Sequence, residues 1–249
     1  LRAIILSAGR GSRLLPLTDD RPKCLLPAGK RTVLGLQLFT LAGAGVHDVT
    51  VVTGFMPHMV DAEIDKFNAE MHDGAPRVRP LFNPFYQIAD NLASCWMARG
   101  EMRDDFLIIN GDTLFEPAII EAVLAAPASN AVQVTVDKKP AYDADDMKVT
   151  LDGDRLTAIG KTLLAPRSHA ESIGILRFCG AGVSLFRDQL DAMMHTPDGV
   201  SSWYLKAIDA LAKAGHPINT CSIEGMTWAE LDTPEDFDTV THLFGQAPA

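Results

Sequence analysis

Apolar positions along this chain switch between two periods, and the switches mark its elements. Ala3, Ile4, Ile5 and Leu6 make a short continuous apolar run, as a strand buried on both faces would. Within residues 32–44, Val33, Leu34, Leu36, Leu38, Phe39 and Leu41 recur at helical spacing until Gly43 and Gly45 stop the pattern. Residues 48–53 read as a second strand, 56–67 as a helix and 78–82 as a third strand. A helix beginning at Asp90-Asn91 and running to Arg99 follows, then a strand over 105–111 and a helix over 116–124. Next come a strand over 131–136 and a hairpin of 148–151 and 155–159 turning at Asp152-Gly153-Asp154. Amphipathic helices over 182–195 and 203–214 precede a strand over 218–223. The last helix opens at Thr233, which can cap it, with Pro234 suited to its first position.

Strands and helices alternating at such short intervals predict right-handed crossovers and an α/β fold. The expected architecture is a Rossmann-like three-layer sandwich with a mostly parallel central sheet. With 249 residues and 47% apolar content, the chain can bury a substantial core as one domain. That domain, 1–249, is read as two halves, 1–130 and 131–249. A formal charge of −10 argues against a nucleic-acid partner, whose affinity rests on basic patches. The four cysteines are scattered without a C-x-x-C pair, which favours reduced thiols over disulfides or zinc. No apolar run reaches transmembrane length and no signal-peptide pattern opens the chain, so a cytoplasmic protein without membrane insertion is expected. Homo-oligomerisation is left open.

Against that acidic background, the turn after the first strand is basic. Ser7, Ala8, Gly9, Arg10, Gly11, Ser12 and Arg13 are followed by Arg21 and Lys23. Small residues after a buried strand leave backbone N–H groups open, and glycine allows the torsions an anion-cradling loop requires. The combination suits a polyphosphate. Two common phosphate loops fail the comparison. The dinucleotide fingerprint has Leu14 where its third glycine belongs, and the second strand lacks the acid that would hold a ribose. The Walker pattern has no closing G-K-[ST] here.

The run Ser7-Ala8-Gly9-Arg10-Gly11-Ser12-Arg13-Leu14 with Arg21-Pro22-Lys23 resembles the signature of nucleotidyltransferases that couple a nucleoside triphosphate to a phosphorylated sugar or alcohol. Over nearly the whole chain the likeness is closest to the bacterial phosphocholine cytidylyltransferase-like branch. The resemblance implies that Ser7, Ala8, Gly9, Arg10, Gly11 and Ser12 bind the triphosphate, with Arg13 and Lys23 catalytic. Lys23 would neutralise charge on the α-phosphate or on the departing pyrophosphate. It also implies that Asn91 and Ser94 contact base and ribose, although Asp90 or Asn91 could equally be a plain helix cap. Gly111-Asp112 ends a central strand, where open α/β sheets bind ligands. The resemblance makes Gly111 a nucleotide contact and Asp112 a Mg²⁺ ligand, whereas a lone Asp there could cap the next helix. Near the carboxyl end, Glu230 and Asp232 lie two apart on an extended segment, so both can face one ion. The family's E-x-D implies Asp232 as the second Mg²⁺ ligand and Glu230 as a minor or outer one.

The resemblance makes 1–130 the nucleotide-binding half and 131–249 the acceptor-binding half, in which residues around 137–180 look like the small β-rich substrate lid that the family inserts. There, Lys161 would touch the acceptor phosphate and Glu171 would face the acceptor; both could instead be surface residues. Tyr142, Trp203, Tyr204 and Trp228 could form an aromatic cage for a quaternary ammonium, with Asp143, Asp145 and Asp146 as an acidic rim. Aromatics in amphipathic helices are, however, often core residues. The resulting expectation is a Mg²⁺-dependent transfer from CTP to a phosphorylated alcohol such as phosphocholine, with pyrophosphate released. Sugar 1-phosphates, inositol phosphates and aminoalkylphosphonates are alternative acceptors, and a non-catalytic nucleotide-sensing domain is the rival from another class. An incoming phosphate is already a nucleophile, so no general base is required. The seven histidines, among them His47, His58 and His72, show no catalytic spacing.

Overall fold

The computed structural model describes residues 1–71 and 76–245; His72 lies outside them. The first elements are β1 (Arg2–Ser7), β2 (Pro27–Ala28), β3 (Arg31–Thr32), α1 (Val33–Gly43), β4 (Asp48–Thr53), α2 (Pro57–Glu70) and β5 (Arg77–Phe82). The chain continues through α3 (Asn91–Met97), β6 (Phe106–Asn110), β7 (Thr113–Phe115), α4 (Pro117–Ala125) and β8 (Val132–Asp137). It ends with β9 (Lys148–Asp152), β10 (Arg155–Ile159), β11 (Ala170–Phe178), α5 (Ala181–Met194), α6 (Leu205–Lys213), β12 (Asn219–Ser222), β13 (Trp228–Glu230) and α7 (Pro234–Phe244). These form two compact units: Leu1–Gln87, Ile109–Glu121 and Met226–Ala249 in one, Ile88–Ile108 and Ala122–Gly225 in the other. That partition differs from a cut at residue 130, because the carboxyl-terminal segment packs with the amino-terminal strands.

In the first unit, β5, β4 and β1 run parallel in that order, with Ile5 opposite Val51 and Val51 opposite Pro80. Ile4, Ile5, Val49, Val51 and Val52 are fully buried, as the unbroken apolar runs of a doubly covered parallel strand require. Helix α1 starts where the Thr32 hydroxyl accepts the Gly35 N–H at 2.9 Å. The expected cap at Thr233 forms a full capping box with Asp236 at the start of α7. A buried cluster of Leu14, Leu26, Val33, Leu114, Leu231, Val240 and Phe244 ties the basic turn to β7, β13 and α7. Segments more than two hundred residues apart thereby share one core.

In the second unit the strand order is β11-β8-β12-β10-β9, and β9 also pairs with β11 at Ala170 and Glu171. Only β8 and β12 pair in parallel among these; the other pairings are antiparallel. The sheet expected to be mostly parallel is therefore mixed. Part of the reason is local: the tight turn at Gly153, at φ 59°, folds β9 onto β10 as a hairpin. Residues 137–180, expected as an inserted lid, supply β9, β10 and β11 to this sheet. Phe178 stacks between Phe106 and Phe186 at 4.7 and 4.3 Å. Among the described residues no helix is long and apolar enough to cross a membrane.

Candidate active site

The basic turn is shaped by where glycine is needed. Gly11 sits at φ 78°, in the left-handed region, and its carbonyl accepts from the Thr18 hydroxyl (2.8 Å) and the Leu14 N–H (3.0 Å). A Cβ on Gly11 would meet the Lys23 Cβ at 2.8 Å, so glycine also lets the Lys23 stem cross the turn. Two further glycines crowd the end of β1. A Cβ on Gly111 would lie 2.2 Å from the Ser7 hydroxyl, and one on Gly54 would lie 2.4 Å from the Ala8 carbonyl. Gly54 was not singled out in the sequence, although a glycine directly after a strand signals close backbone approach. Gly9 and Arg10 are exposed. The Arg10 guanidinium lies over the Phe55 ring at 5.1 Å.

Lys23, Asp112 and Asp232 converge. The Lys23 ammonium donates to Asp112 Oδ2 at 2.7 Å and, at closer range, to Asp232 Oδ1. Arg13 Nη2 donates to Asp232 Oδ2 at 2.8 Å. The backbone brings the two acids together. β7 and β13 pair antiparallel with Thr113 opposite Glu230, and the Leu231 N–H donates to the Asp112 carbonyl at 3.1 Å. The Asp236 carboxylate, from the first turn of α7, accepts the N–H groups of Asp232 and Thr233 and so fixes the segment from behind. Burial works against the charged form of Lys23, but the two carboxylates outweigh it and hold its pKa above the ordinary value.

This set suits a divalent cation. Asp112 Oδ1 is buried and finds no hydrogen-bond partner among the described residues, as a carboxylate oxygen kept for a cation would. Magnesium takes one or two carboxylates and fills its remaining positions with phosphate oxygens and water. Among the described residues no group of three or more acidic, His or Cys side chains gathers at metal-binding range. Glu230, expected as a minor or outer ligand, lies opposite Thr113 on β13.

The remaining predicted residues belong mostly to the second unit. Asn91 begins α3, and its Oδ1 accepts the Tyr204 backbone N–H at 2.9 Å, so part of its capacity holds the fold. Asp90 occupies the cap position without a side-chain bond. Ser94 is buried on the same helix. Tyr204, expected at the acceptor, is fully buried and belongs to the core. Lys161 lies 5.3 Å from the Trp203 ring centroid and 3.5 Å from Asp145. Trp228 lies in the first unit, opposite Phe115.

Tyr142 and Glu171 share a surrounding the sequence did not disclose. Lys139 donates to Asp146 at 2.7 Å, lies 2.9 Å from Glu171 and stands 6.0 Å from the Tyr142 ring centroid. Burial pushes the Glu171 carboxyl up to about 7; Lys139 opposes the shift and Asp146 adds to it. A folded pKa above the unfolded one favours the native state when the group is protonated. Glu171 therefore contributes stability that is full below its ordinary value of 4.5 and is lost as pH rises through about 7. Thermal melts from pH 4 to 8 should show this decline in the wild type and flatten it in Glu171→Gln. Parallel curves would refute the assignment.

A family model described as nucleotidyl transferase matches residues 2–147. The chain is 28% identical over 246 residues to the CMP-5'-(3-aminopropyl)phosphonate synthase of Streptomyces rubellomurinus, a match covering 95% of this chain but only 37% of that protein. It is 24% identical over 257 residues to the CTP:phosphoglutamine cytidylyltransferase of Campylobacter jejuni, covering 96% and 98%. Among solved structures it resembles the CTP:phosphocholine cytidylyltransferase from Streptococcus pneumoniae, with a TM-score of 0.77, 19% identity and 97% of each chain covered. That likeness carries the fold. A basic glycine turn and two converging carboxylates on such a fold agree with the family match, and the chain belongs to the nucleotidyl transferase family.

Proposed function

We propose that this chain is a Mg²⁺-dependent cytidylyltransferase, joining CTP to a phosphorylated small alcohol such as phosphocholine and releasing pyrophosphate. The observation that carries the reading is the convergence of Asp112 and Asp232 on Lys23 beside the Gly9–Arg13 turn. In the reaction, an acceptor phosphate oxygen forms a bond to the α-phosphorus while the bond from that phosphorus to the β-phosphate's bridging oxygen breaks. The turn's N–H groups and Arg10 and Arg13 bind the triphosphate. Lys23 stabilises the negative charge that builds between α-phosphate and leaving group, in place before the reaction starts. Asp112 and Asp232 would hold the magnesium ion, whose chemistry is to neutralise phosphate charge. Asn91 and Ser94 have the donors and acceptors to read a pyrimidine edge.

The acceptor has a second reading. Tyr142, Asp146 and Glu171 are the groups that would hold a trimethylammonium, yet the Lys139 ammonium already lies among them. Two cations do not share one slot. An acceptor without a cationic head, an inositol or sugar phosphate, needs no displacement of Lys139 and is favoured by this observation.

The test is pyrophosphate release from each of four nucleoside triphosphates paired with phosphocholine, inositol 1-phosphate, glucose 1-phosphate or an aminoalkylphosphonate. CTP with one of these acceptors should release pyrophosphate only when Mg²⁺ is present. Release with phosphocholine alone would reject the second reading. No release from any pair would leave the non-catalytic nucleotide-sensing domain in its place.

A further inference from the structure

Gln37 is a polar side chain in a place that sequence patterning assigns to an apolar one. It lies in the middle of α1 between Leu34, Leu38 and Leu41, and only 2% of it is exposed. Both of its amide bonds go to one short stretch of backbone: Nε2 donates to the Asn110 carbonyl at 2.8 Å and to the Thr113 carbonyl at 2.8 Å. Those two carbonyls bracket Gly111-Asp112. Its Oε1 is buried and finds no hydrogen-bond partner among the described residues. Burying an amide with an unmet acceptor is unfavourable, so the two N–H bonds are what the position retains.

The turn they hold is gripped from two other directions. The Gly111 N–H donates to the Leu6 carbonyl at 3.0 Å, and the Asp112 carbonyl accepts from the Leu231 N–H. Those contacts fix Gly111-Asp112 to β1 and to the segment carrying Asp232. Gln37 adds the third support, on both shoulders of the aspartate. We infer that Gln37 is a positioning residue for Asp112, setting the direction in which that carboxylate meets Asp232 and a divalent cation. The inference rests on the reading that the two aspartates hold a metal. An apolar residue of equal volume would preserve the packing of α1 and remove the support. Partners that orient a metal ligand from behind typically change metal affinity by about 10–100-fold when lost.

The test uses Gln37→Met, which keeps the length of the side chain and removes both donors. Mn²⁺ binding in the presence of CTP, read by electron paramagnetic resonance, should weaken about tenfold or more in the variant. CTP affinity measured in EDTA should stay within about twofold, a split that general loosening of the core would not give. Asp112→Asn is the control. If it abolishes Mn²⁺ binding while Gln37→Met binds like the wild type, the inference about Gln37 falls and the metal reading stands. If the wild type binds no Mn²⁺ with CTP, both fall. Should Gln37→Met fail to fold, the Gln37 side-chain amide resonances of the wild type decide. They should shift on adding Mg²⁺ to the CTP-bound protein, and unmoved resonances would overturn the inference.

Discussion

Lys23→Met should lower turnover by about 10²–10³-fold, the loss typical when one preorganised charge is removed from a transition state. Methionine keeps the stem that crosses Gly11, so the turn retains its shape and the ammonium alone is lost. The substitution has a second effect that separates a catalytic charge from a structural one. In the structure Lys23 bonds to both carboxylates, so it competes with any other cation for Asp112 and Asp232. Without it the two acids face each other with one fewer cation between them, while Arg13 still bonds to Asp232 Oδ2 at 2.8 Å. Like charges so placed favour uptake of an external cation. Mn²⁺ should therefore bind the nucleotide-free variant more tightly than the wild type, while pyrophosphate release nearly stops. Undiminished turnover would remove Lys23 from the mechanism.

The elements visible in the sequence were those whose period survives in the fold. β1 and β4 read as strands because near-continuous burial leaves them rich in apolar residues, and α5 and α6 read as helices because each covers one face. β11 stayed hidden for a physical reason. It is buried along both faces, and Gly174 at φ 75° shifts its register between Ser172 and Leu176, so no alternation marks it. β7 and β13 are three residues each, too short for any period, and exist through pairing across more than a hundred residues. The site was legible in part for the same reason. Gly9 and Asp112 stand just past strand ends that the sequence announces, and Gly11 and Lys23 belong to the basic stretch that follows the first of them. The Glu230-x-Asp232 pattern drew attention to this segment, but the bond between Lys23 and Asp232 depends on the pairing of Glu230 with Thr113 and of Leu231 with Asp112, which no spacing announces. Gln37 and Lys139 carried no signal of their own, since a buried glutamine on an apolar face and a lysine beside proline acquire meaning only from what the fold brings opposite them.

The two aspartates make unequal demands on their surroundings, and their variants should differ accordingly. Asp112 offers Oδ2 to Lys23 and keeps Oδ1 buried and unpartnered, whereas Asp232 is shared between Lys23 and Arg13. Either Asp→Asn change removes a carboxylate from the cation site. Metal stabilisation of a transferring phosphate is worth several kcal/mol, so each should lower kcat by at least about 10²-fold. Asp232→Asn should also change CTP binding, because it releases Arg13 from its partner beside the triphosphate turn; Asp112→Asn should leave the CTP affinity measured in EDTA unchanged. If both acids act on one ion, removing the second after the first costs little more. The double variant should then sit within about tenfold of the worse single one, the non-additivity of groups that work as a unit. Rate losses that multiply instead, with Mg²⁺ still required for the residual turnover, would mean that the two carboxylates serve separate roles and share no ion.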